Sequence, residues 1–356
     1  MAAKASMLLR AAAPTTGVAY SEARGLASLK DVSKAAGVSP STVSRVITGS
    51  RPVEEDTRER VLEAIRNLDY RPNLLARGLR NKSAKSIGLM VPSILHETFA
   101  NFIYFIEEAC VSHDFTMFLG NTQANADAEE RVLKNFIGMN VDGVIVSQVS
   151  DESDVVKSLT RLGIPVVGID RAPDDSEADG VVVFNREAGQ IAARYLYAMG
   201  HRRIACIGGP EKVSLSRERL EGFRVFLAEK GVDIQHVAGP DFEFETGIVM
   251  VRKLLERGCE FTAIWAQSDL LAVGAMQELA RLGVRIPNDV SIMGMDGIHL
   301  GEMVRPALTT VRQPFQEICQ HAVRLLLERI EHSHTKPRRI VVQPELIVRD
   351  SVCYRE

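Results

Sequence analysis

Residues 29–47 read LKDVSKAAGVSPSTVSRVI. The spacing predicts a first helix over Leu29–Ala36, ended by Gly37, a residue that adopts the left-handed conformation without a Cβ penalty. Ser39 is a good N-cap for a second helix over Pro40–Ile47, which has proline at its first position. Two short helices around a glycine turn fit a helix-turn-helix, although an ordinary helical hairpin has the same spacing.

A third amphipathic helix is expected over Glu54–Leu68, where it closes a small core against the second helix. Val43 and Val46 of the second helix face this core. The third helix is expected to contribute four apolar side chains, from Val61, Leu62, Ile65 and Leu68. The outward face of the second helix then carries Ser41, Thr42, Ser44 and Arg45.

Basic residues are concentrated near the N-terminus. Residues 27–86 contain 12 Lys and Arg against 7 Asp and Glu, whereas residues 87–356 contain 28 against 38. A basic head on an acidic body can attract a polyanion locally. Residues 1–26 are expected to be a disordered extension, or to be translated from a start codon that lies upstream of the true one. A transit or secretory signal is the alternative, but its apolar stretch is short and interrupted by Arg10.

The block 29–47, with Thr57-Arg58 and Tyr70-Arg71-Pro72-Asn73 after it, closely resembles the lactose-repressor (LacI/GalR) family. The resemblance covers about residues 28–350 and implies a helix-turn-helix DNA-binding domain over residues 27–72. In that family the outward face of the second helix reads DNA in the major groove.

The resemblance implies that Pro40, Ser41 and Arg45 read base edges. Arginine can donate paired hydrogen bonds to guanine, whereas proline offers only an apolar surface. Thr42 and Ser44 are better placed to contact the DNA backbone, which positions the helix without reading sequence. Plain solvation is the alternative for each hydroxyl.

Residues 73–86 form a linker, and residues 71–85 contain five basic residues and no acid. A solvated linker would account for this composition. The resemblance implies instead a hinge helix over about Asn73–Arg80 that becomes ordered when two copies meet over operator DNA. Leu79 matches a leucine wedge that enters the minor groove. Ala76 would let paired hinge helices approach, and Arg77 and Arg80 would meet the backbone or the minor groove.

From residue 87 onward short apolar strands alternate with amphipathic helices, a pattern that predicts parallel sheets with helices on both faces. Seven strands are expected, over Ile87–Val91, Thr116–Leu119, Gly143–Ser147, Val166–Ile169, Arg203–Ile207, Thr262–Ala266 and Ser291–Gly294. Helices are expected over Asp127–Ile137, Glu187–Met199, Ser216–Glu229 and Leu270–Leu282. The resemblance implies an α/β periplasmic-binding-protein-like body over residues 87–352. Its first lobe is about 87–184 and 314–341, and its second about 185–311 and 342–352.

Ligands of such folds bind in the cleft at the carboxyl ends of the strands. Arg219 matches the family's ligand-binding arginine, Asp296 its ligand-accepting aspartate and Phe242 its stacking aromatic. Three further candidates, Ser93, Thr98 and Phe99, follow the first strand. Asp269 follows the strand through Trp265, and Arg171 is an extra cation that favours an acidic ligand. Surface ion pairs would also explain Arg171 and Asp269. The expected effector is a sugar or a sugar acid.

Two other classes of protein are alternatives to a repressor. A transporter's sugar-binding protein shares the body fold but has an export signal and no helix-turn-helix. An enzyme is not indicated, since no glycine-rich phosphate loop, paired metal ligands or nucleophile spacing occurs. The five cysteines are scattered and odd in number, which favours reduced thiols, and no cofactor or metal is expected. No apolar run reaches the roughly 18 residues that span a bilayer.

The sequence therefore predicts a transcriptional repressor that is not an enzyme and is cytoplasmic. It is expected to bind a near-palindromic operator as a homodimer and to respond to a small-molecule effector. No leucine-heptad tail follows the last apolar segment, so a dimer is favoured over a tetramer.

Overall fold

The computed structural model describes residues 27–48, 51–70, 84–171, 178–332 and 336–356. The chain forms two compact units, a head that extends to residue 77 and a body from residue 78 onward. The N-terminal extension 1–26 and the predicted hinge positions Ala76, Arg77, Leu79 and Arg80 lie outside the described residues.

The described residues of the head form three helices: α1 (Leu29–Ala36), α2 (Pro40–Thr48) and α3 (Glu55–Asn67). Its core is formed by five buried side chains, from Val32, Ala36, Val43, Val61 and Ala64. The prediction that Leu68 belongs to this core is wrong. Because α3 ends at Asn67, Leu68 leaves the helical face and is exposed, and Ala64 packs in its place one turn earlier.

The first lobe of the body contains a six-stranded sheet. Its strands are β1 (Ser86–Val91), β2 (Thr116–Asn121), β3 (Gly143–Val146), β4 (Val166–Ile169), β5 (Asp179–Val183) and β11 (Arg339–Val342). Their order is β11-β5-β4-β3-β1-β2, and every pairing is parallel. The lobe's helices are α4 (Glu97–Ser112), α5 (Ala126–Gly138), α6 (Val155–Arg161) and α12 (Phe315–Glu331).

The second lobe contains another six-stranded sheet. Its strands are β6 (Ile204–Gly208), β7 (Ile234–Ala238), β8 (Ala263–Ala266), β9 (Ser291–Asp296), β10 (Thr309–Arg312) and β12 (Glu345–Ile347). Their order is β12-β10-β9-β8-β6-β7, and only β12 runs antiparallel to its neighbour. The lobe's helices are α7 (Asn185–Ala198), α8 (Ser214–Glu229), α9 (Phe244–Glu256), α10 (Asp269–Arg281) and α11 (Leu300–Met303).

The inner strands of both sheets are buried on both faces, which explains why they read as continuous apolar runs. Every residue of β1, β4, β6 and β8 is buried. Trp265 of β8 is fully buried and stacks on Phe223 of α8, with ring centroids 4.5 Å apart. The predicted fold class, a helix-turn-helix head followed by a body of two α/β lobes, is confirmed.

Candidate functional site

The turn between α1 and α2 is built by local hydrogen bonds. Ser28 caps α1, and its side chain and that of Asp31 satisfy each other's backbone N–H groups. Gly37 ends the helix at φ 65°, a conformation that costs most other residues about 1–2 kcal/mol. The Ser39 hydroxyl then accepts from the Thr42 N–H at 3.2 Å at the start of α2.

The outer face of α2 carries the side chains that were predicted to meet DNA. Pro40, Ser41 and Arg45 are exposed, and Thr42 and Ser44 are half-buried. The hydroxyls of Ser41 and Thr42 lie 2.7 and 2.9 Å from the Ser39 hydroxyl, so they are held near the start of the helix. Arg45 forms no ion pair or hydrogen bond with the described part of the chain, which leaves its guanidinium available to an external partner.

The body contains a cleft between its two sheets, at the carboxyl ends of the strands. Its volume is about 190 Å³. Seven of the eight predicted ligand residues line it, namely Ser93, Thr98, Phe99, Arg171, Arg219, Phe242 and Asp296. Six polar or charged residues that were not predicted also line it: His96, Asp170, Lys212, Asp241, Glu243 and Gln313.

Arg219 is held rigidly at the base of the cleft. Its Nε donates to Asn185 Oδ1 at 2.9 Å and its Nη1 donates to the Gln267 carbonyl at 2.8 Å. Helices α7 and α8 approach each other closely here. Gly189 of α7 allows this approach, since a Cβ at its position would lie 2.1 Å from the Arg219 carbonyl oxygen. The third nitrogen, Nη2, lies 3.9 Å from Asp296 Oδ1, so it attracts that carboxylate without donating a hydrogen bond to it.

Asp296 ends β9 and accepts from Gln313 Nε2 at 2.6 Å. Burial raises the pKa of Asp296 to about 6, against the opposing effects of Arg219 and Gln313. A carboxyl group with this pKa can exchange a proton near neutral pH and can accept hydrogen bonds from a ligand in the cleft.

Asp269 was predicted to contact ligand, but it does not line the cleft. It is fully buried at the start of α10, where it accepts from the N–H groups of Gly297 and Ile298 and from the Thr310 hydroxyl. Burial, together with the charge of Asp296, raises the pKa of Asp269 to about 8. Asp269 thus fixes the loop that follows Asp296 rather than reaching the cavity.

Arg171 crosses the cleft from the first lobe to the second. Its Nη1 donates to the Val149 carbonyl at 2.9 Å, and its Cζ lies 5.8 Å from the ring centroid of Phe242. The Asp170 carboxylate is 3.9 Å from Arg171 Nε, beyond hydrogen-bond distance. Burial lowers the pKa of Arg171, an effect that Asp170 partly opposes.

Two lining side chains have a buried polar atom with no hydrogen bond to the described residues. These atoms are Arg171 Nε and Gln313 Oε1. Buried polar groups in folded proteins are normally satisfied, so such atoms on side chains that line the cleft favour a polar ligand or a water beside them. Sequence reasoning missed Gln313, although its position directly after β10 is the signal that could have found it.

Two carboxylates of the first lobe contact helix N-termini of the second. Asp151 accepts from the N–H and hydroxyl of Ser214, at 3.2 and 2.9 Å, and from Arg217 at 3.0 Å. Glu97 accepts from the N–H groups of His299 and Leu300 at 2.7 and 3.3 Å. We call Asp151 and Glu97 the interlobe latches, because these contacts exist only while the lobes are close together.

The described residues contain no group of three or more His, Cys, Asp or Glu side chains arranged to hold a metal ion. All five cysteines are described and none forms a disulfide. Among the described helices, none has the length and apolar character needed to cross a bilayer.

Two family models match this chain. The model for bacterial regulatory proteins of the lacI family matches residues 28–73, and the periplasmic binding protein-like domain matches residues 193–352. The chain is 35% identical over 332 residues to the HTH-type transcriptional repressor PurR of Mannheimia succiniciproducens, a match that covers 92% of this chain and 99% of the relative.

Solved structures share the whole architecture. A complex of the transcriptional regulator CelR with cellobiose is 31% identical, with a TM-score of 0.70, and the match covers 91% of this chain and 99% of CelR. The lac repressor dimer bound to operator and the anti-inducer ONPF is 24% identical, with a TM-score of 0.83, and the match covers 92% and 99%. Because the identity to the lac repressor is below 25%, this similarity shows the fold alone.

Proposed function

Since the chain belongs to the LacI family of bacterial regulatory proteins, DNA-binding transcriptional repressors with a ligand-binding domain, we propose that it binds a near-palindromic operator as a homodimer. In this proposal a small polar ligand in the cleft controls operator affinity. The family consists of transcriptional regulators rather than enzymes.

The DNA-binding part of the proposal rests on the exposed face of α2. Arg45 would donate two hydrogen bonds to a guanine, and Pro40 and Ser41 would contact neighbouring base edges. Thr42 and Ser44 would meet the DNA backbone and fix the register of the helix. A dimer would place two such helices on adjacent half-sites, and its two-fold symmetry would match a near-palindrome. Outside the described residues, Ala76, Arg77, Leu79 and Arg80 would meet the minor groove at the centre of the site.

The observation that carries the ligand-binding part is that the polar side chains of Thr98, Arg171 and Gln313 line one cavity, the last two with a buried polar atom that lacks a hydrogen bond to the described residues. Ser93, Arg219 and Asp296 add further polar contacts, while Phe99 and Phe242 provide apolar walls. The volume of about 190 Å³ lies below the roughly 300 Å³ at which pockets for drug-sized molecules begin. A sugar or a sugar acid suits such a site. CelR, with a similar body, was solved with cellobiose.

A ligand would act by stabilising the closed arrangement of the lobes. Arg171 lies over the Phe242 ring across the cleft, and a ligand that touches residues of both lobes adds contacts that exist only when the lobes are closed. A ligand with different affinities for two arrangements shifts their populations by that difference. The altered lobe arrangement would then change how well two hinge segments pair over DNA.

The DNA-binding proposal is tested by selection from random duplexes with the full-length protein at 150 mM salt. We expect enrichment of a near-palindromic sequence with a guanine in each half-site. Enrichment of no sequence, or equal binding to selected and scrambled duplexes, would contradict the proposal.

A further inference from the structure

The backbone of Asp296 is strained. Its φ is 119°, a value that residues other than glycine rarely adopt. Such conformations are unfavourable and persist only where the surrounding contacts hold them in place. The strain coincides with a carboxylate that lines the cleft, so the contacts that hold this backbone also determine whether the carboxylate faces a ligand.

Contacts within the second lobe restrain Asp296 and the two residues after it. The Asp296 carbonyl accepts from the Gln313 N–H at 2.9 Å. The N–H groups of Gly297 and Ile298 donate to the Asp269 carboxylate at 2.7 and 2.9 Å. Asp269 is fully buried at the start of α10, so these contacts stay with the second lobe when the lobes separate.

The next two N–H groups are held from the first lobe. Glu97, the first residue of α4, accepts from the His299 N–H at 2.7 Å and from the Leu300 N–H at 3.3 Å. Four consecutive N–H groups, over residues 297–300, therefore donate to two carboxylates that belong to different lobes. Only one of these carboxylates remains when the first lobe moves away.

Glu97 itself lies outside the cavity. It does not line the cleft, so it has no direct contact with a ligand bound there. It acts on the site through the segment that begins at Asp296. Hydrogen bonds to a charged acceptor are stronger than those to a neutral one, so the two bonds to Glu97 can offset part of the strain.

We propose that Glu97 is a positioning residue for ligand binding, one that keeps Asp296 in its strained conformation while the lobes are closed. When the lobes separate, two of the four N–H groups lose their acceptor and the strain is released, which withdraws the Asp296 carboxylate from the cleft. This inference rests on the proposed function and adds to it that the ligand site is complete only in the closed arrangement. A ligand that needs Asp296 then has the higher affinity for the closed arrangement and shifts the populations toward it.

Two substitutions at one position measure the strain by differential scanning calorimetry. Asp296→Gly and Asp296→Ala both remove the carboxylate, but only glycine tolerates a positive φ without cost. In the full-length protein Asp296→Gly should melt about 2–8 °C above Asp296→Ala. With Glu97→Ala added to both variants the segment can relax, so this difference should vanish or change sign, because glycine is otherwise the less stable residue.

Glu107→Ala is the matched control. Glu107 is exposed on the same helix as Glu97 and forms no hydrogen bond or ion pair with the described part of the chain. Added to the same two variants, Glu107→Ala should leave their difference in melting temperature unchanged.

Amide hydrogen exchange tests the inference without a substitution in the cleft. Glu97→Ala removes the acceptor of the His299 and Leu300 amides, which should exchange roughly tenfold or more faster. The amides of Gly297 and Ile298 should also exchange faster, although Glu97 does not bind them, because the whole segment is released. Glu97→Gln keeps a neutral acceptor oxygen and should give intermediate rates at all four amides.

The inference is overturned if the melting difference between Asp296→Gly and Asp296→Ala is the same with and without Glu97. It is also overturned if Glu97→Ala speeds exchange only at His299 and Leu300, since Glu97 would then be a local cap. Neither measurement involves DNA or a ligand. Failure to select any DNA sequence would instead remove the proposed function, so the two failures are distinguishable.

Discussion

Arg45 is the side chain on which base reading is expected to depend most. It is exposed on α2 and forms no ion pair within the described residues, so its loss should not disturb the fold of the head. A paired arginine–guanine contact contributes about 1–3 kcal/mol of discrimination. Because the proposed dimer makes two such contacts, about 2–6 kcal/mol in all, Arg45→Ala should weaken binding to the selected duplex at least about 30-fold and leave binding to a scrambled duplex nearly unchanged.

Fluorescence anisotropy with both duplexes measures this difference. Arg45→Lys is the informative comparison, because it keeps the charge and loses the fork of donors. Equal weakening on both duplexes by Arg45→Ala would mean that the residue contacts only the DNA backbone.

Asp296 is expected to lower stability near neutral pH while it serves ligand binding. Its raised pKa shows that burial outweighs the attraction of Arg219. An acid whose pKa is raised in the folded state stabilises that state below its unfolded pKa, and this contribution is lost as the pH rises through the folded value, here about 6. Asp296→Asn should thus be more stable than the wild type by about 1–3 kcal/mol at pH 7.

Thermal unfolding between pH 4 and pH 8 tests this expectation. The advantage of Asp296→Asn should be small at pH 4, grow between pH 4 and pH 6, and stay constant above pH 6. The ligand affinity of Asp296→Asn should be lower than that of the wild type. Asp289→Asn is a control of opposite sign, because hydrogen bonds from Arg285 lower the pKa of Asp289. A melting-temperature difference that does not vary with pH would contradict the account of Asp296.

Single residues could be predicted where a motif or a strand end marks them. Arg219 and Asp296 were found in this way, and the structure places both in the cleft wall. His96 and Glu243 were missed, because they lie in separate loops that meet only after the lobes fold. Asp296 ends β9, and Asp269 follows β8 by three residues. Sequence could not tell that Asp269 accepts hydrogen bonds from the N–H groups of Gly297 and Ile298 instead of lining the cavity.

At the scale of elements, α8 receives its N-terminal cap from the other lobe. Its own N-cap residue, Val213, provides no side-chain hydrogen bond, and Asp151 accepts from Ser214 instead. A carboxylate at this position also interacts favourably with the helix dipole. Closure of the lobes therefore completes α8, the helix that carries Arg219.

Removal of the Asp151 carboxylate should make the closed arrangement of the lobes less favourable. Asp151→Ala is expected to weaken ligand binding roughly threefold to tenfold, a modest effect because the pair with Arg217 is partly exposed. Calorimetry with a sugar or sugar acid that binds the full-length protein measures it. Asp154→Ala is the matched control, since among the described residues Asp154 forms an ion pair with Lys157 of its own lobe and none with the second lobe. An equal effect of both substitutions would show that Asp151 does not act through closure.

Elements with a strong apolar pattern could be predicted from sequence, and weakly patterned ones could not. The inner strands β1, β3, β4 and β8 were predicted to within one residue at each end. Strands β7, β11 and β12 lie at or near sheet edges, are only partly buried and were missed. Strand β5 is fully buried, but its five residues follow a polar segment that reads as a loop.

At the scale of the whole molecule, the account joins a DNA-reading head to a ligand-binding body through thermodynamic coupling. If a ligand changes operator affinity by some factor, the operator must change ligand affinity by the same factor. This equality holds whether the ligand strengthens or weakens operator binding, and it does not depend on which contacts the hinge makes.

The most direct test is the operator affinity of the full-length protein with and without its ligand. Anisotropy titrations of the selected duplex at fixed salt, in the presence and absence of saturating ligand, give the coupling factor. We predict a change of at least about fivefold, and the same factor in ligand affinity when operator is saturating. An operator affinity that is unchanged by a ligand bound in the cleft would contradict the account.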